Sequence, residues 1–281
     1  EIILVDCDYK KAEAQTLDLI DMLPYAQSYT RILATDDVSL LAPVDIIINC
    51  VGPEKITEDR LDELQETAAI VKEIFPVIME SGFDGIIVNV TNPCDVITML
   101  IQKITGLPTH KVIGSGTALD TARLYAHIGT TFQMDPSRIS GYVLGEHGES
   151  QFIAWSTVKI DTFSIEHILT ELPAGLGMNF EAVEEIVRGA GWKVCEGKGY
   201  TNFAIAQVVI KIVTSIFNNS QTLLPVSVYA KEYDTYLSIP AILNKYGTRY
   251  NMPPVLTEEE QVKLIASANV IKKAFATIDN I

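Results

Sequence analysis

Three short apolar runs, each closing on a polar residue and separated by stretches of helical period, constrain this chain more than any other feature. Ile2 to Val5 ends at Asp6. Asp45 to Cys50 reads Asp-Ile-Ile-Ile-Asn-Cys and closes on Gly52-Pro53, and Ile86 to Val90 stops at Thr91-Asn92-Pro93. Wholly apolar, β-branched runs of this length predict strands buried on both faces of a parallel sheet. Lys10 to Met22 has apolar residues at helical spacing, Ala12, Leu17 and Ile20 among them. Asp59 to Ser81 carries Leu61, Leu64, Ala68, Val71 and Phe75 three or four residues apart, and Pro76 predicts a kink or a split. This order implies a right-handed α/β fold with a doubly wound parallel sheet, in which ligands bind beyond the carboxyl ends of the strands. Asp6, the loop after Cys50 and Asn92 occupy those ends.

The rest of the chain is more mixed. A helix follows from Val96, and a brief strand at Lys111 to Ile113 runs into Gly114-Ser115-Gly116-Thr117 ahead of a helix near Leu119. Ile139 to Leu144 and Phe152 to Ile160 read as strands. Phe180 to Arg188, Tyr200 to Asn218 and Glu258 to Asp279 read as helices, the last opening on the capping-box pattern Thr257-Glu258-Glu259-Glu260. The expected division is a sheet domain over 1–115 and a mixed α+β domain over 116–281.

Composition narrows the partners. Of 281 residues, 36 are acidic and 21 basic, a net charge of −15, which argues against nucleic acid or an anionic membrane as the main partner. Four scattered cysteines (Cys7, Cys50, Cys94 and Cys195) show no CxxC spacing and suit a reduced, cytoplasmic protein. The longest apolar stretch, Ala204 to Phe217, is broken by Gln207 and Lys211, so no membrane span is expected, and the first residues have no signal-peptide character.

Several side chains stand out against this frame. Asp6, at a strand end, suits the ribose hydroxyls of a dinucleotide, though acids at strand ends are also common turn formers. Asp120 and Arg123 share a helix face, as a surface ion pair would or as a guanidinium aimed at a carboxylate would. The small residues of Gly114-Ser115-Gly116 favour the second alternative by leaving room at the helix start. Of the four histidines only His147 sits in a glycine-framed turn, Gly145-Glu146-His147-Gly148; a solvated loop histidine is the plain alternative. Arg60 opens a long helix, where the dipole disfavours a cation, a small hint of another task such as meeting an anion. No GxSxG elbow, complete P-loop or metal-ligand spacing is present, so no metal is expected.

Taken together these residues resemble the L-lactate/malate dehydrogenase family. Asn92-Pro93-Cys94-Asp95 is similar to its NPVD segment, and Gly114-Ser115-Gly116-Thr117-Ala118-Leu119-Asp120-Thr121-Ala122-Arg123 to its GxGTxLDxxR helix start. Leu144-Gly145-Glu146-His147-Gly148-Glu149-Ser150 is similar to its LGEHGxS loop, and Lys198-Gly199-Tyr200-Thr201 to its KGxT segment. The motifs fall in family order along the whole chain. The resemblance implies a Rossmann sheet, NAD as cofactor, and hydride transfer between NAD(H) and an L-2-hydroxy acid. It implies His147 as acid–base, Asp120 as its carboxylate partner, Arg123 as the substrate-carboxylate anchor, and Arg60 as the cation beside the carbonyl. Asn92 and Ser115 would position nicotinamide and substrate, Thr201 would line the substrate pocket, and Asp6 would hold the adenosine ribose. A homodimer or homotetramer is the usual state of relatives.

Two departures qualify the resemblance. The family's first strand, its GxGxxG turn and the following helix have no counterpart in these residues. A sheet without that strand has a gap, and the expectation is that the natural protein carries the unit. The loop before Arg60 lacks the Arg-Lys-Pro-Gly of malate enzymes and has Glu54 and Lys55 near the matching place, which disfavours a dicarboxylate. The segments Ser150 to Val158 and Tyr236 to Ala241 are most similar to the L-2-hydroxyisocaproate branch, which takes larger aliphatic side chains. The expected activity is therefore an L-2-hydroxyacid dehydrogenase of lactate or branched-chain type. Malate dehydrogenase and a non-catalytic binding or assembly protein are the alternatives.

Overall fold

The computed structural model describes residues 1–53, 60–171 and 177–278, with side chains of the second stretch from Glu63 onward. In chain order its elements are β1 (Ile2–Val5), α1 (Tyr9–Ala26), β2 (Ile32–Thr35), β3 (Ile46–Asn49), α2 (Arg60–Glu80), β4 (Ile86–Asn89), α3 (Cys94–Thr105), β5 (Val112–Gly114) and α4 (Ala118–Phe132). The second half has β6 (Ile139–Leu144), β7 (Phe152–Ile160), β8 (Phe163–Ser164), α5 (Ile165–Glu171), α6 (Phe180–Lys198), α7 (Phe203–Phe217), β9 (Thr222–Ala230), β10 (Thr235–Asn244), β11 (Gly247–Asn251) and α8 (Glu258–Ala276).

The sheet system is in three pieces. β1 and β2 form a parallel two-stranded ribbon, β3, β4 and β5 run parallel within a six-stranded sheet of order β11-β10-β9-β5-β4-β3, and β6, β7 and β8 form an antiparallel sheet. β1 pairs only with β2, and β3 only with β4, so each leaves one backbone edge unpaired among the described residues. Their burial follows: Ile2 and Ile48 are exposed, against the expectation of strands covered on both faces, whereas β4 is buried throughout. Edge strands have less cover than the central strands of a parallel sheet.

The helices form for the reasons their periodicity gives. Along α2, Leu64, Ala68, Val71, Phe75 and Ile78 fall on one stripe and are all buried in the main core, with α3 packed alongside. A buried residue of this size contributes about 1.5–3 kcal/mol, enough to carry the helix through Pro76 without a break. α8 opens with the expected capping box: Thr257 Oγ1 accepts from Glu260 N, and the Glu260 carboxylate accepts from Thr257 N. That carboxylate also accepts from Ser156 N and Oγ, tying α8 to β7.

β2 and the run β9–β11 are absent from the sequence reading. β9 and β10 carry Pro225 and Pro240, which argue against central strands. The two prolines lie opposite each other, and the Pro240 carbonyl accepts from Met252 N on the side away from β9, so theirs is a non-hydrogen-bonded pair and the β9–β10 ladder loses no donor. No helix among the described residues is long and apolar enough to cross a membrane.

Candidate active site

The site grows from a buried polar bracket at the carboxyl ends of β3 and β4. Asn49 Nδ2 donates to Asn89 Oδ1 at 2.8 Å, and Asn89 Nδ2 donates to the carbonyls of Thr91 and Cys94. Thr91 Oγ1 closes on the Val51 carbonyl at 2.6 Å. These bonds satisfy polar groups that would otherwise be costly inside the core, and they fix the turn that carries Asn92. Asn92 is exposed at this edge, and just past the adjacent β5 stands Ser115, which is 3% exposed and donates its N–H to the Asn89 carbonyl.

From there the chain enters α4 through a tight passage. Gly116 has φ +54°, and a Cβ there would come within 2.5 Å of Ser227 N and Ser238 Oγ, so only glycine fits. Thr117 N donates to Ser238 Oγ, Thr117 Oγ1 donates to the Val143 carbonyl, and Thr121 Oγ1 accepts from Val143 N. α4 is thereby locked to β6, the strand that delivers His147.

The loop after β6 is equally fixed. Gly145 exchanges both backbone hydrogen bonds with Ser238 on β10, at φ +94°, and a Cβ would meet Ser267 Oγ at 2.5 Å. Glu146 N donates to Ser267 Oγ on α8 at 2.7 Å, Ser150 Oγ donates to Glu146 Oε2 at 2.6 Å, and the two serine hydroxyls lie 2.9 Å apart. His147 N donates to Asp95 Oδ2 at 2.7 Å.

Three of the expected residues converge. His147 Nδ1 lies 2.7 Å from Asp120 Oδ2, and Arg123 Nη1 donates to Asp120 Oδ1 at 2.8 Å. The Asp120 side chain is 1% exposed, that of Arg123 18% and that of His147 26%, so the carboxylate is sealed and both cations keep an open side. Burial pushes the Asp120 carboxyl up, but His147 and Arg123 outweigh it and hold it below the usual carboxylate range. Burial likewise pushes His147 down, and the Asp120 carboxylate overcomes this, leaving the imidazole above its ordinary value. An ionised carboxylate only accepts, so the proton on Nδ1 stays there, and Nε2 is the nitrogen able to exchange one.

The other expected residues lie around this core. Asp6 ends β1, where its carboxylate accepts from Asp8 N at 3.0 Å and pairs with Lys11 Nζ at 3.1 Å; the Asp8 N–H is the main cause that lowers its pKa. Burial first, and the Asp6 charge after it, push the Cys50 thiol just past β3 above its ordinary value. Thr201 is exposed between α6 and α7 and shares no hydrogen bond with the histidine cluster among the described residues. Arg60 begins α2, but its side chain, with Glu54 and Lys55, lies outside the described residues.

Sequence reasoning missed four contributors: Asp95, Ser238, Ser267 and Gly191. Gly191 of α6 lies against Arg123, since a Cβ there would stand 3.3 Å from Arg123 Nη2. Asp95 belongs to a recognised motif, whereas Ser238 and Ser267 carry no local signal.

The donor set suits a dinucleotide laid across the strand ends. Asp6 has acceptor capacity left for a diol at β1, and Asn92 and Ser115 supply polar groups at β4 and β5. Beside them stands an imidazole able to pass a proton and a guanidinium able to hold a carboxylate. Such a sheet and site define an NAD-dependent dehydrogenase of 2-hydroxy acids. Family models agree over nearly the whole chain: residues 1–114 match the lactate/malate dehydrogenase NAD binding domain, and 117–280 its alpha/beta C-terminal domain. The chain belongs to the lactate/malate dehydrogenase family. It is 34% identical over 282 residues to L-lactate dehydrogenase 2 of Bacillus cereus (strain ZK / E33L), covering 99% of this chain and 90% of the relative. L-lactate dehydrogenase 1 of Bacillus cereus (strain ATCC 10987 / NRS 248) is 35% identical over 288 residues, with the same coverage. Among solved structures, MGS-M5, a lactate dehydrogenase from a Medee basin deep-sea metagenome library, superposes with TM-score 0.93 at 32% identity, covering 99% of this chain and 90% of that one. The minor L-lactate dehydrogenase from Enterococcus mundtii gives 0.91 at 30% identity, covering 98% and 89%.

Proposed function

We propose that the chain interconverts 2-oxo and L-2-hydroxy monocarboxylic acids of lactate or branched-chain type, with His147, Asp120, Arg123 and Arg60 as the working set. The observation that carries this reading is one sealed carboxylate bonded to both an imidazole and a guanidinium. In the direction of reduction, His147 gives its Nε2 proton to the C2 oxygen while Asp120 stabilises the imidazolium that donates it. Arg123 anchors the substrate carboxylate through parallel hydrogen bonds, and Arg60 meets the negative charge developing on the C2 oxygen. When bound, NAD(H) supplies or accepts the hydride. Asp6 holds the adenosine ribose, Asn92 and Ser115 position the nicotinamide end, and Thr201 lines the substrate side.

Malate is disfavoured because the segment before Arg60 carries Glu54, only partly offset by Lys55, in place of the Arg-Lys-Pro-Gly of malate enzymes. The protein works in the cytoplasm as a homodimer or homotetramer, a state supported by exposed apolar residues along α1 (Leu17, Met22 and Tyr25) and α7 (Ile210 and Phe217). NADH oxidation measured with pyruvate, 2-oxoisocaproate and oxaloacetate tests the substrate class. The first or second gives the highest kcat/KM; a preference for oxaloacetate would overturn the reading.

A further inference from the structure

The active-site loop rests on a buried carboxylate that the roles above leave unused. Asp95 stands in the first turn of α3, 1% exposed, with Oδ2 accepting the His147 N–H at 2.7 Å. Neither its Oδ1 nor the Ser227 hydroxyl on β9 makes a hydrogen bond of ordinary distance and angle among the described residues, but the hydroxyl lies close enough to favour the charged carboxylate. No lysine or arginine pairs with it among the described residues. A buried charge without a contacting cation is unfavourable, and an asparagine would accept the same N–H without that cost. The cation that acts on Asp95 is the His147 imidazolium.

The geometry points to Asp95 as a second carboxylate of the catalytic unit, a positioning residue that holds the His147 main chain and shares its imidazolium charge while Asp120 holds the ring. This rests on His147 being the acid–base group. Burial pushes the Asp95 carboxyl up to about 6, against the pull of the Ser227 hydroxyl and the His147 N–H, with Glu146 pushing further upward. Asp95 is therefore charged where His147 exchanges its proton. From α4, Asp120 raises and Arg123 lowers the imidazole, and Asp95 adds to the raising side. Within α3, Cys94 is pushed up to about 12 by burial and stays neutral.

The test uses the purified full chain, with histidine-ring NMR titration read beside the pH profile of 2-oxo acid reduction. Four histidines are present, and loss of one signal in His147→Gln assigns the ring. Asp95→Asn keeps the N–H acceptor but removes the charge, so the His147 midpoint and the alkaline limb of kcat/KM fall by about half a unit or more. Asp95→Leu shows the same shift and loses about 100-fold in kcat as the loop shifts. Ser227→Ala, which leaves Asp95 in place but weakens its charged form, moves both readouts the same way by less. Should Asp95→Asn fail to fold, that variant decides alone. Unmoved midpoints and limbs, or wild-type kcat in Asp95→Leu, would overturn the inference. A moved midpoint with an unmoved rate limb supports the role of Asp95 and overturns the acid–base reading of His147 instead.

Discussion

Replacing Asp120 by asparagine keeps the side-chain volume and removes the one negative charge that His147 and Arg123 share. The two contacts, 2.7 Å to Nδ1 and 2.8 Å to Nη1, lie inside the protein with the carboxylate 1% exposed. Two unit charges about 4 Å apart at an effective dielectric near 20 attract by about 4 kcal/mol, much of which offsets the burial of the ions. The surplus holds His147 above its ordinary 6.5. With the charge gone, burial and the Arg123 charge act on the imidazole against Asp95 alone, and its midpoint falls by about 1–2 units. Reduction needs the imidazolium, so the alkaline limb of the rate profile moves to lower pH by the same amount. The amide can also present its NH2 to Nδ1 and reverse the tautomer, which brings the expected loss in kcat to about 100–10,000-fold. Stability follows the same signs. The Asp120 contribution is present above its unfolded pKa and lost as pH falls through the lowered folded value. The His147 contribution is present below 6.5 and lost as pH rises through the raised one. The assay is NADH oxidation against pH for both proteins at saturating cofactor. A superimposable profile with kcat within about threefold would refute the pairing.

Two further substitutions separate binding from support. Arg123→Leu removes two charge-assisted hydrogen bonds to the substrate carboxylate, each worth about 1.5–3 kcal/mol, so kcat/KM for 2-oxo acids falls about 100–10,000-fold. NADH affinity, followed by fluorescence titration, is unchanged, and equal substrate affinity in mutant and parent would remove Arg123 from the anchor role. Ser267→Ala deletes the acceptor of Glu146 N and the hydroxyl neighbour of Ser150 at a wholly buried position, costing about 1–3 kcal/mol in urea unfolding. Loss of kcat with little change in KM accompanies it, because the loop that slackens carries His147.

The limits of the sequence reading have physical causes that can be traced residue by residue. β4, β6 and β7 were legible because burial on one or both faces writes itself into the apolar pattern, and α2 because its buried stripe repeats every three or four residues. β9 and β10 were not, because Pro225 and Pro240 break the pattern of a central strand, and only the register of the pair shows that both fall where the β9–β10 ladder needs no donor. The active site divides the same way. Asp120 and Arg123 are three residues apart and declare a shared helix face, and His147 is framed by glycines whose purpose is visible at Gly145. What makes the histidine usable comes from elsewhere: Asp95 lies 52 residues away along the chain from the N–H it accepts, and Ser267 lies 121 from Glu146. Such groups leave no local signature, since a buried serine or aspartate reads like any helix residue until the fold supplies its partner. The chemistry-bearing atoms are thus marked by short motifs, while the rigidity that makes them effective is held by α3, β10 and α8. A substitution at Asp95 or Ser267 is therefore expected to act on the catalytic loop as directly as one beside His147.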